Sequence, residues 1–164
     1  MPTPDRLAIR LAIEDLNAAF AYHLDHNQVE PLVDLFTANA RYSHGERQSE
    51  GREALRALFT ARTSGGARTT RHLYSGLRIV IDDERSASGE SVCMAFAANQ
   101  LPPVAFCTPY LVADFVDRYI LDSDGRWRIE QRDIRTIIPG GIEAPNPGTS
   151  AGGCGDLPGA RAGC

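Results

Sequence analysis

The sequence predicts an α+β fold in which helices come first and a run of antiparallel strands follows. Three observations predict it. Apolar residues recur at helical spacing through roughly the first sixty positions, and from Thr70 onward they follow strand patterning. The later segments are joined by turns rather than by helical stretches, which disfavours a βαβ layout and favours helices laid on one face of a curved sheet.

Thr3-Pro4-Asp5 reads as a helix start, a capping hydroxyl followed by proline in the first turn. Leu7, Ile9, Ile13, Leu16, Phe20 and Leu24 then mark a long amphipathic helix with one buried face. Asn27 permits a break. Val29, Leu32, Val33, Leu35 and Phe36 mark a short second helix, and Ala40-Arg41-Tyr42-Ser43 a brief strand before the turn-rich His44-Gly45-Glu46. Gly51 to Arg62 carries Ala54, Leu55, Leu58 and Phe59 as a third helix, ended by Ser64-Gly65-Gly66. Leu73, Leu77, Ile79, Val80 and Ile81 fit a strand closed by the acidic turn Asp82-Asp83-Glu84. Ser91 to Ala98, Pro109 to Leu121 and Arg126 to Ile138 follow as strands, the last two joined across Asp122-Ser123-Asp124-Gly125. One domain is expected over residues 1–139. The Gly/Pro-rich stretch 140–164 is expected to be a flexible or loosely docked tail.

Composition excludes several functions. A net charge of −4 without a cluster of basic residues argues against nucleic acid as a partner. The sequence contains no lysine, so every fixed cation is an arginine and a lysine Schiff base is excluded. No apolar run approaches a membrane span and the opening lacks a secretory signal, so a cytoplasmic protein is expected, with no membrane partner. Of four cysteines, Cys93 and Cys107 fall in or near strands and Cys154 and Cys164 in the tail. None has CxxC spacing, so no metal or redox box is expected. Pairing of Cys154 with Cys164 in an oxidising compartment is left open.

Acid–base chemistry has few candidate carriers. His72 opens a strand in Thr70-Arg71-His72-Leu73, and Asp25 lies near the end of the first helix in Tyr22-His23-Leu24-Asp25-His26. A neutral imidazole can take a proton near pH 7, and a carboxylate beside it fixes its tautomer. Spacing alone leaves open a structural histidine and a solvated carboxylate. Arg132 is a candidate for stabilising a developing oxyanion, or for a surface salt bridge with Glu130 on the same strand face and Arg135 on the other. Tyr42 is a candidate wall residue, and Tyr22 and His26 flank Asp25 at the expected cavity edge. His23 and His26 lack a third ligand, so no metal is expected, and His44 is expected in solvent.

The order of these pieces resembles the SnoaL-like branch of the nuclear-transport-factor-2-like superfold. The carrying residues are Asp5-Arg6-Leu7-Ala8-Ile9, Ile13-Glu14-Asp15-Leu16, Leu24-Asp25 and Leu35-Phe36-Thr37, followed by Ala40-Arg41-Tyr42, Gly51-Arg52-Glu53-Ala54-Leu55, Thr70-Arg71-His72-Leu73 and Asp124-Gly125-Arg126-Trp127-Arg128-Ile129. The resemblance covers about residues 5 to 139. It implies a cone-shaped half-barrel with three helices packed on a strongly curved, mainly antiparallel sheet. Within the branch, the chain most resembles lindane dehydrochlorinase and scytalone dehydratase, where an Asp–His dyad drives β-elimination. The resemblance assigns Asp25 and His72 to that dyad, Arg132 to a pocket arginine and Tyr42 to an aromatic wall. Phe20 stands where a pocket lysine or tyrosine occurs, which removes a donor and argues against dehydrochlorination.

The implied activity is a lyase or isomerase acting without cofactor, with dehydration of a hydroxylated cyclic or aromatic-derived compound as the specific expectation. Catalytic roles fall to Asp25, His72 and Arg132, and substrate contacts to Tyr42, Phe20 and Tyr22. A pH limb near or above the ordinary imidazole value of roughly 6.5 is expected, because Asp25 favours the imidazolium. The alternatives are a polyketide cyclase or ketosteroid-isomerase-like enzyme with a carboxylate base, a non-catalytic small subunit of a ring-hydroxylating dioxygenase, and a ligand-binding protein. A homodimer or homotrimer through the outer sheet face is implied by the resemblance.

Overall fold

A computed structural model of the chain describes residues 6–140. The element order is α1 (Arg6–Asp25), α2 (Val29–Asp34), β1 (Phe36–His44), β2 (Arg47–Glu50), α3 (Gly51–Thr63), β3 (Thr69–Ile81), β4 (Ser86–Ala98), β5 (Pro109–Leu121) and β6 (Trp127–Pro139). The fold is α+β, as expected. Six strands form one open mixed sheet in the order β2-β1-β6-β5-β4-β3. Only β1 and β6 run parallel. The expected tail lies outside the described residues beyond Gly140, as do Cys154 and Cys164. Among the described residues no helix is long and apolar enough to cross a membrane.

Helix α1 buries Ile9, Ile13, Leu16, Phe20 and Leu24 along one stripe, whereas Leu7 lies off it and is exposed. Its end is set by Asn27, which takes a left-handed backbone at φ 55°. Gln28 N donates to His23 O at 2.9 Å and Asn27 N to Leu24 O at 3.4 Å, closing the helix with paired terminal bonds. Asp25 is thereby the last helical residue, and its carboxylate projects from a fixed helix end.

Two strands begin four or more residues before the sequence reading placed them. Strand β1 begins at Phe36 rather than Ala40, because Phe36 is fully buried opposite Ile129 of β6. Strand β4 begins at Ser86 rather than Ser91, since small residues there pair with β5 without apolar alternation. Gly89 makes this possible: a Cβ there would sit 3.0 Å from the Tyr119 ring. Strand β2, which the sequence reading omitted, is a polar hairpin partner of β1 across Gly45, with His44 opposite Arg47.

A register shift between β5 and β6 falls between Arg118 and Tyr119. It changes the phase of β6, so that Ile129 and Arg132, three residues apart, both point inward. Glu130 instead reaches the outer face and pairs with Arg118 at 2.8 Å. The expected placement of Glu130 and Arg132 on one face assumed strict alternation, which this bulge breaks.

Candidate active site

The central contact is between the end of α1 and the start of β3. His72 Nδ1 lies 2.6 Å from Asp25 Oδ1, and both side chains are nearly closed to solvent. The His72 backbone N–H donates to Asp25 Oδ2 at 2.9 Å, and the Thr70 hydroxyl donates to Oδ1 at 2.9 Å. A carboxylate at a helix C-terminus opposes the helix dipole, and these three donors offset that cost. Thr70 and His72 reach the same carboxylate because residues two apart on a strand share a face. Arg62 Nη2 donates to the Thr70 hydroxyl at 3.0 Å, extending the chain of bonds to α3.

These contacts fix electrostatics as well as position. Burial raises the Asp25 pKa, but hydrogen bonds and charge from His72, with Thr70, outweigh it and hold the carboxyl below its ordinary value. Burial lowers the His72 pKa, Asp25 opposes, and the Arg62 and Arg68 charges add to the lowering. The net direction is down. The expectation of a raised value counted only Asp25 and missed both burial and the two cations. With Nδ1 donating to Asp25, Nε2 is the basic nitrogen, and it has no hydrogen bond among the described residues.

His72 lines a cavity of about 390 Å³. Leu24, Leu58, Phe59, Leu111, Phe115 and Ile134 give it apolar walls. Its polar lining is Tyr42, His44, Arg47, Arg62, Arg68 and Tyr110. A volume of this size with a few convergent polar groups is the usual form of a small-molecule site. The Tyr42 phenol is pushed up to about 12, chiefly by burial against the opposing charges of Arg132 and Arg62. It therefore stays a neutral donor at the wall.

Other expected site residues lie elsewhere. Arg132 does not line the cavity: it is wholly buried, donating from Nε and Nη2 to Asp117 at 2.8 and 2.7 Å and from Nη2 to Asn17 at 2.6 Å. Its guanidinium lies 4.2 Å from the Phe20 ring centre and 4.9 Å from that of Phe115. Tyr119 completes this network, donating to Asp117 at 2.7 Å and accepting from Asn17 at 3.0 Å. Phe20 is a core residue, edge-on to Phe36 and Tyr74, rather than a substrate contact. Tyr22 is half exposed and stacks on His26, because it points off the buried stripe of α1. Among the described residues no group of three His, Cys, Asp or Glu side chains is placed to hold a metal.

Sequence reasoning missed Arg62, Arg68, Tyr110 and the wall position of His44. His44 ends β1 beside the cavity, its Nε2 3.2 Å from Thr136 Oγ1, and burial first and Arg47 second lower its pKa. The available signal for Thr70 was its two-residue spacing from His72. None existed for Arg62 or Tyr110, whose approach depends on the packing of α3 on β1 and on the place of β5 in the sheet.

An open curved sheet, a helix-borne carboxylate against a strand-borne imidazole, and a small cavity define a protein of the nuclear-transport-factor-2-like fold. The chain belongs to the SnoaL-like domain family, whose model matches residues 5–133. Among solved structures it is similar to LinA, the lindane dehydrochlorinase, at 25% identity and TM-score 0.70, covering 88% of this chain and 99% of that one. A protein of Novosphingobium aromaticivorans assigned as a scytalone dehydratase gives 24% identity and TM-score 0.73, over 87% and 93% of the two chains. Rv3472 of Mycobacterium tuberculosis, of unknown function and solved as a single-residue variant, gives 25% identity and TM-score 0.70 over 80% and 77%. No curated protein matches the chain. These similarities support a family of small-molecule lyase or isomerase type.

Proposed function

We propose that the protein is a dehydratase-type lyase in which His72 is the base, Asp25 positions it, and a hydroxylated cyclic or aromatic-derived compound loses water. The observation that carries this reading is the Asp25–His72 contact of 2.6 Å in the wall of an apolar-sided cavity. His72 Nε2 accepts a proton from carbon, the C–H electron pair forms the new double bond, and the β-hydroxyl leaves. The imidazolium returns its proton to that oxygen, which departs as water. Asp25 stabilises the imidazolium and remains ionised. The neutral Tyr42 phenol supplies a donor where negative charge grows on a substrate oxygen.

The isomerase-like alternative makes a carboxylate the base. Asp25 suits that role poorly, since its oxygens accept three hydrogen bonds and its pKa is held down. A panel of cyclic β-hydroxy ketones, followed by absorbance of the conjugated product, tests the proposal. His72→Ala is expected to lose about 10²–10⁴-fold in kcat. Undiminished turnover in that variant overturns it.

A further inference from the structure

The cavity carries fixed charge of one sign. Among the described residues, Arg47, Arg62 and Arg68 line it, and no Asp or Glu does. Other arginines drawn into the described fold meet carboxylates: Arg132 meets Asp117, Arg128 meets Asp122 and Asp124, and Arg52 meets Asp34. Arg62 departs from this pattern. It is half-buried, it has no carboxylate within 4.0 Å among the described residues, and its Nε is buried without a hydrogen-bond partner. A buried donor left unmet costs about 1–3 kcal/mol. A guanidinium is also shaped to hold a planar carboxylate in a fork. Tyr110, on the same wall, lies close enough to interact with both Arg62 and Arg68, and burial keeps its phenol protonated.

We propose that the substrate is a carboxylate, a small and mostly apolar organic acid held at its charged end by Arg62 with Tyr110 donating beside it. Its body lies against Leu58, Phe59, Leu111 and Phe115. The inference rests on reading this cavity as the reaction site and adds the class of molecule that enters it. Arg62 has a second consequence. Through the Thr70 hydroxyl it stands one group away from Asp25, so the bound acid is anchored beside the dyad.

Calorimetric titration of the full chain with 2-naphthoate and 2-naphthamide tests this without any turnover. The acid is expected to bind at least about tenfold tighter than the amide, a difference of about 1.4 kcal/mol. Arg62→Gln is expected to bring the two within about twofold, whereas Arg78→Gln, on an exposed outer strand position, keeps the preference. Equal binding of acid and amide by the wild type, no binding of either, or a preference that survives Arg62→Gln overturns the proposal. Should Arg62→Gln fail to fold, salt decides: raising NaCl is expected to weaken naphthoate alone, and equal weakening overturns the idea. His72→Gln is expected to keep the acid preference. A preference without elimination therefore sinks only the dehydratase reading, and elimination of neutral substrates without a preference sinks only this one.

Discussion

Thr70 Oγ1 lies 2.9 Å from Asp25 Oδ1, the same oxygen that His72 Nδ1 reaches at 2.6 Å. One hydroxyl thus braces the carboxylate that orients the imidazole. It also takes a hydrogen bond from Arg62, so helix α3 and helix α1 are tied together through a strand residue. The dyad is held by donors from its own strand and not by the helix alone.

Removing that brace has a predicted cost. Thr70→Val is expected to lower kcat about 3–10-fold, the size of one hydrogen bond of roughly 1 kcal/mol, with a smaller change in KM. Thr70→Ser keeps the hydroxyl and is expected to restore most of the rate. Steady-state kinetics on the two variants check it, and equal loss in both would make the methyl group the cause.

The pH dependence follows from the direction of the His72 shift. The base acts when neutral, and its pKa lies below the ordinary 6.5, so kcat/KM is expected to be flat through neutrality and to fall only below pH 6.5. Arg62→Gln removes a charge that disfavours the imidazolium and is expected to move that limb upward. A pH–rate profile of both proteins reads the sign directly. The stability effect has the same sense. An unfolded chain binds the His72 proton more readily, so this group's contribution is present above roughly 6.5 and is lost as pH falls from there through the lower folded value.

Arg132 is predicted to be a structural cation. Arg132→Met leaves Asp117 buried without its counter-charge and is expected to cost about 3–5 kcal/mol of stability. Adding Asp117→Leu is expected to recover a large part of that loss. Urea denaturation measures both. Turnover per folded molecule is expected to change far less than in His72→Ala.

Gly140 is coupled to the cavity. A Cβ at this position would collide with the Tyr110 backbone, and Gly140 N donates to Tyr110 O at 2.9 Å. Gly140→Ala is expected to displace Tyr110, lower stability by about 1–3 kcal/mol and weaken 2-naphthoate binding more than 2-naphthamide binding. Thermal unfolding and titration check the pair of effects.

The elements with strong periodicity were legible in the sequence. Ile9, Ile13, Leu16, Phe20 and Leu24 announced α1, and β5 was placed at its observed limits, Pro109–Leu121. Strand β2 was not legible, because Arg47-Gln48-Ser49-Glu50 has no apolar face and is a strand only through its pairing with β1. The dyad residues were legible by resemblance, whereas the Arg62–Thr70 bond was not, since eight residues and a chain reversal separate its ends.

By itself the sequence determined which of the strongly periodic segments are helix and which are strand, that every fixed cation is an arginine, and which carboxylate and imidazole were candidates to meet. These are properties of residue type and local period. Only the tertiary structure decided that Arg132 turns away from the cavity while Arg62 enters it, and that His72 is a weakened rather than strengthened base. The first follows from the Asp117 and Asn17 contacts that hold Arg132 in the core and from the packing of α3, the second from burial beside Arg62 and Arg68. Local periodicity does not encode either one.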